Sequence, residues 1–241
     1  MISIETNPLE ISNYNRQTEH VFNRYNIRPY STTKLSELTS ALNIDSGFLV
    51  TILNAFNNLN EFGHEPFRHF SIPTIVDYLE RSHKYYFEKR LPAIEQSARN
   101  LVSNYSHSHP LLKILHLFLH LYQKDLKEHF EMEEQLLFPY AKMLDHEIIV
   151  MQNPSRRPLE FLDYSVEQFT VAHADSEQSL ADVRKAILHY NPSPDNQSPY
   201  RIMVDQLKHF EQDLHIHAKI EDLVLVPKLE LLERSFNCRL N

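Results

Sequence analysis

Glycine and cysteine are almost missing from this chain of 241 residues. The two glycines, Gly47 and Gly63, fall far below the roughly 7% of an average protein. Without glycine clusters there is no Walker A loop and no GxGxxG turn, so nucleotide binding through a glycine-rich phosphate loop is excluded. The one cysteine, Cys238, has no partner for an intrachain disulfide, and any metal site must use nitrogen and oxygen donors. Basic residues are also outnumbered: 24 Lys and Arg against 32 Asp and Glu leave a net charge of −8. That balance argues against nucleic acid as the main partner, because backbone binding needs concentrated positive charge. Nowhere do 18 apolar residues follow one another, and the opening MISIETNPLEISNYNR lacks a basic segment followed by an apolar run. A soluble, cytoplasmic protein without a membrane span is therefore expected.

What the chain does contain is long apolar periodicity of 3.6 residues, which predicts an all-α protein. Residues 32–58 read as two short helices, the second capped near Asp45 or Ser46. They form a small helical N-terminal domain over residues 1–62. A helix-turn-helix is conceivable there, but the second helix carries no basic residues, which favours packing or protein contact. EFGHEPFRHFSIP brings Gly and two prolines together and reads as a linker, residues 63–72. Four long patterns follow at about 74–106, 110–143, 157–190 and 199–233, separated by turn-rich stretches such as NPSPDNQSP. Helices of roughly 30 residues are ~45 Å long and can face one another along their length. An up-down-up-down four-helix bundle over residues 73–236 is the expected architecture.

Histidine is abundant, with 15 residues. Within that set one phrase occurs twice: HFEMEEQLLFP from His129 and HAKIEDLVLVP from His217. The match extends upstream, giving D-L-x-x-H-x-x-x-E in both copies, with an aromatic residue seven positions before each His and Pro ten after. His and Glu at i and i+4 project from one helix face, so both reach one metal ion or one metal pair. Asp125 and Asp213, each four residues before its His, are candidates to accept the second imidazole N–H. A bare HxxxE is weak evidence, since a third lies at His173–Glu177. The joint match, set within the apolar stripe of each helix, carries the reading. A buried Glu is costly unless it is paired or metal-bound.

The corresponding stripes of the first and third patterns run through His83 and His173. Two halves, each a His helix followed by a His/Glu helix, imply two metal ions bridged by Glu133 and Glu221. His116 and His120 share an edge with lysines, and His209 and His215 lie off the stripe, so these are expected at the surface. His107 or His109, at the end of the first pattern, is a candidate for a further ligand, and Glu177 a competing one. Imidazoles and carboxylates without thiolate suit Fe, Mn or Zn, and a carboxylate-bridged pair inside a bundle most suggests non-haem di-iron.

On these residues the chain resembles the hemerythrin-like proteins, and among them the di-iron proteins associated with repair of iron-sulfur centres. The resemblance covers about residues 73–233 and rests on the phrases H129-F-E-M-E133-E-Q-L-L-F-P and H217-A-K-I-E221-D-L-V-L-V-P. The NRYNIRPYSTTKLSELTSALN region is also similar to the small N-terminal domain of such repair proteins, without the Cys pair usual there. Aligned on Leu91-Pro92, the family's first ligand position falls on Lys84. Periodicity chooses His83 instead, because Glu80, Lys84 and Glu88 form a charged row. The resemblance implies two iron ions; with His83 taken from periodicity, the expected ligands are His83, His129, Glu133, His173, His217, Glu221 and provisionally His107. It implies repair of damaged iron-sulfur clusters, by redox reaction with NO or peroxide or by iron delivery, with iron-sulfur proteins as clients. Binding or sensing of O2 or NO is the second reading, and a homodimer is compatible with either.

Overall fold

The computed structural model describes residues 1–57, 63, 65–105, 112–150, 165–166 and 197–240. Among these the regular structure is helical, with no strand. Helices α1 (Pro8–Tyr14), α2 (Thr18–Arg24), α3 (Leu35–Leu42) and α4 (Ser46–Asn57) come first. After a short 3-10 turn come α5 (Ile72–Tyr85), α6 (Leu91–Tyr105), α7 (Leu112–Met132) and α8 (Phe138–Val150), then α9 (Ser198–Ile220) and α10 (Val226–Leu240). The expected long helices at 74–106, 110–143 and 199–233 fall on α5–α6, α7–α8 and α9–α10. The expected helix at 157–190 lies outside the described residues except at Ser165 and Val166. Helices α1 and α2 were not legible from periodicity, since seven residues span only two turns.

Contacts divide the chain into two units. One comprises Met1–Lys84, Phe138–Val166 and Ile216–Asn241; the other comprises Tyr85–Leu137 and Glu167–His215.

In the first unit the N-terminal helices start and stop on local signals. Asn7 caps α1 by accepting the Glu10 N–H (2.9 Å), with Pro8 as the first helical residue. Asp45 caps α4 by accepting the Phe48 N–H (2.9 Å), and Asn43 closes α3 in the left-handed conformation that Asn tolerates. Phe48 anchors the apolar core of these helices. Its ring meets Phe67, Phe70 and Tyr78 edge-on at 6.0, 5.1 and 5.7 Å. Tyr78 belongs to α5, so this aromatic cluster packs the N-terminal helices against the helix that carries His83. The buried Arg24 guanidinium lies 5.3 Å over the Tyr78 ring and 5.8 Å over Phe56, adding cation–π attraction to the same contact. Farther along, Tyr140 on α8 donates to Glu233 on α10, and Lys142 on α8 donates to Glu80 on α5 at 2.6 Å.

The second unit is built on α6, α7 and the first part of α9. Leu101, Leu119, Leu126, Met203, Leu207 and Phe210 are among its buried residues. Tyr86 stands in this core, stacked on Phe130 (5.9 Å) and edge-on to Phe210 (5.3 Å). Its hydroxyl donates to the buried Asp213 at 3.0 Å.

Among the described residues, three turns of π-helix interrupt the long helices, at Tyr86–Arg90, Glu133–Leu137 and Glu221–Leu225. All three precede a proline at the same distance: Pro92, Pro139 and Pro227 each sit six residues after the first residue of the turn. Proline has no N–H to donate and its ring collides with the carbonyl four residues earlier. A π turn, bonded i to i+5, widens the helix before the proline and relieves that collision. Accordingly the Leu91 N–H bonds to the Tyr86 carbonyl and the Val226 N–H to that of Glu221. Each π turn also places one extra residue in the helix, which shifts the register of whatever precedes it.

Candidate metal centre

The register shift decides which residue of α5 faces inward. Leu79, His83, Phe87 and Leu91 are spaced by four, twelve residues in all, where three α turns hold only about 10.8. The π turn at Tyr86–Arg90 absorbs the excess. His83 is 2% exposed, whereas Lys84 lies on the surface. The ring of His83 stacks on Phe138 (5.5 Å, interplanar angle 23°). Phe138 is the phenylalanine of the LLFP phrase, and this supporting role was not apparent in the sequence. Stacking holds the imidazole so that its Nε2 lies 3.2 Å from Nε2 of His217.

Glu221 opens the π turn that follows α9, one turn after His217, and its Oε1 lies 3.1 Å from His217 Nε2. The other copy of the phrase has the same local geometry: His129 Nε2 lies 2.8 Å from Glu133 Oε1. The exposures differ between copies, since Glu133 and Glu221 are both fully buried while His217 is 3% and His129 14% exposed. The acids four residues upstream differ as well. Asp213 is buried and accepts the Tyr86 hydroxyl, whereas Asp125 is exposed. The two repeats therefore share a helical geometry without sharing an environment.

One donor atom from each of His83, Glu133, His217 and Glu221 lies within 4.8 Å of the other three, and all four residues are buried. Donors on opposite sides of a single ion bonded at ~2.1 Å are ~4.2 Å apart. The four atoms are thus within about half an ångström of the separations one ion requires. The chemistry of the set also fits a cation. Two fully buried carboxylates repel and are poorly solvated, so together they carry a cost that a divalent ion would offset. Two imidazole Nε2 atoms meeting at 3.2 Å form one hydrogen bond at most, but their lone pairs can converge on a metal. The group can hold a metal ion, and with no thiolate it suits a hard or borderline one.

The remaining candidates separate clearly. His129 touches Glu133 and is not among the four converging donors. His107, His109, His173 and Glu177 lie outside the described residues. His120 and His215 are exposed. His209 is half-buried beside Asp205, with Nδ1 to Oδ2 at 3.5 Å; burial foremost, and then Arg90 and Lys208, push its pKa down while Asp205 pulls it up.

Models of known protein families give no match to the chain, and no curated protein is significantly similar to it. The functional reading rests on the residues. No helix among those described is long and apolar enough to cross a membrane.

Proposed function

We propose that this chain is a hemerythrin-like four-helix bundle holding a carboxylate-bridged non-haem di-iron centre, and that the centre serves repair of stress-damaged iron-sulfur clusters through redox reaction with NO or peroxide or through iron delivery. The observation that carries the reading is the convergence of His83, His217, Glu133 and Glu221 in one buried group. The second support is the repeated His-to-Glu geometry, 2.8 Å in one copy and 3.1 Å in the other. Iron in such a site supplies one-electron redox chemistry. The chain's residues set the terms: Glu133 and Glu221 would provide anionic oxygens, and His83, His217 and His129 neutral nitrogens. Glu133 belongs to the four-donor group and also lies 2.8 Å from His129, which supports reading it as a carboxylate shared between two ions. His173 and His107 would complete the second ion's ligands.

Burial limits the reactants. With the four converging donors 0–3% exposed and His129 14%, an iron-sulfur protein has no direct approach to the centre, so repair would run through small molecules, electrons or released iron. The same burial favours the second reading, a protein that binds or senses O2 or NO, because a diatomic ligand needs no wider access. The deciding experiment is anaerobic loading with iron, metal analysis, and incubation with a nitric-oxide-damaged iron-sulfur enzyme. The expected result is two irons per chain and restored enzyme activity. Two irons with reversible O2 binding and no restoration would favour the sensor reading. One zinc per chain and no iron uptake would sink both.

A further inference from the structure

Arg90 closes the π turn on α5–α6 and is 8% exposed. An arginine side chain is a permanent cation. Within the described residues it is paired with no carboxylate; its one hydrogen bond is a long contact from Nη2 to the backbone carbonyl of Gln206 (3.3 Å). The buried Nε has no hydrogen-bond partner. Asp213, a buried carboxylate of the same unit, already accepts the Tyr86 hydroxyl. A buried cation left without a counter-charge costs several kcal/mol, so the arrangement is balanced only when an anion is supplied.

Two residues of α9 beside Arg90 suit that anion. Gln206 has a buried Oε1 without a hydrogen-bond partner. Since nothing holds its amide in that orientation, a flip turns Nε2 to donate instead. His209, three residues on, lies close enough to feel the Arg90 charge. Its Nδ1 is directed at Asp205, which leaves Nε2 for another partner. The unpartnered Nε–H of Arg90 and the adjacent Nη2–H form a flat fork, which matches two oxygens of a planar anion.

We propose that Arg90, Gln206 and His209 form a receptor for a small planar monoanion of the carboxylate or nitrate class, docked on the Nε edge of Arg90. The receptor uses none of the candidate metal donors and does not depend on the proposed function. Its affinity is set by the charge-assisted fork of Arg90 and completed by the Gln206 amide.

The test follows the arginine Nε–H signals of the full-length, metal-free chain by 15N–1H NMR while formate, nitrate or chloride is added at constant ionic strength. Arg90 is assigned from the signal lost in Arg90→Gln, and the buried Arg24 serves as internal control. Formate and nitrate should shift the Arg90 signal saturably, chloride should not, and Arg24 should stay in place. In Gln206→Leu the apparent dissociation constant should rise about fivefold, as expected for one lost hydrogen bond. Formate should also raise the melting temperature of the wild type more than that of Gln206→Leu, which decides the matter if the Arg90 signal is too broad to follow. A shift that is unsaturable or equal in chloride, or equal thermal effects in both proteins, would overturn the proposal.

Discussion

The Nε2 atoms of His83 and His217 meet at 3.2 Å although 134 positions separate the two residues in the chain. Two imidazole nitrogens this close can share one proton, or both can point their lone pairs at a cation lying off the line between them. Glu221, at 3.1 Å from one of these nitrogens, adds an anionic oxygen to the group, which can hold a metal ion.

Removing a carboxylate charge should separate a metal site from a structural ion pair. Glu221→Gln keeps the shape of a fully buried side chain and deletes its charge. We expect iron binding to be lost, while the metal-free variant melts at the same temperature as metal-free wild type or higher, because a buried charge has been removed. If the metal-free variant is instead markedly less stable, Glu221 is holding His217 as a structural partner. Inductively coupled plasma analysis and calorimetry on the same preparations provide both readings.

The register of α5 can be tested by two alanines. His83→Ala should abolish iron uptake, and Lys84→Ala, on the exposed side, should leave it unchanged. Iron loss from the lysine variant alone would place the ligand position one residue later.

The π turn itself is open to test by changing its length. Deleting the exposed Lys89 together with Pro92→Ala removes both the extra residue and the collision that requires the wide turn. This should leave a continuous α-helix with His83 still facing inward, so iron uptake and circular dichroism should resemble the wild type. Inserting an alanine after Lys89 adds a second excess residue and rotates His83 by about 100°, which should eliminate uptake. Retention of iron in the insertion and loss in the deletion would show that the π turn does not set the register.

A fourth prediction concerns the N-terminal aromatic cluster. Phe48 is 1% exposed and meets three aromatic rings, so Phe48→Ala should cost about 3–5 kcal/mol of stability. Urea titration measures this directly, and a loss below ~1 kcal/mol would mean that the cluster collapses into the cavity.

Much of the site was legible before any coordinates. Glu133, His217 and Glu221 stand in a duplicated phrase whose apolar stripe fixed the face they occupy, and His83 followed from the stripe of its own helix. The π turns could have been anticipated too, because prolines recur at a constant distance after the turn-opening residues and the Leu79–Leu91 stripe runs long for an α-helix. They were not, because a count of apolar positions tolerates one extra residue without revealing where it is inserted. Helices α1 and α2 escaped for a related reason, as their signals are caps rather than periodicity.

By itself, then, the sequence determined the helical class, the nitrogen and oxygen character of any metal site and the faces on which the donors lie, because each depends on composition or on spacing within one helix. Only the tertiary structure decided that four donors from three long helical segments converge within 4.8 Å, that His129 stays partly exposed beside Glu133 while His217 is buried, and that Arg90 is enclosed without a carboxylate partner among the described residues. Those are distances and environments set by packing between segments far apart in the chain, and spacing along one helix carries no record of them.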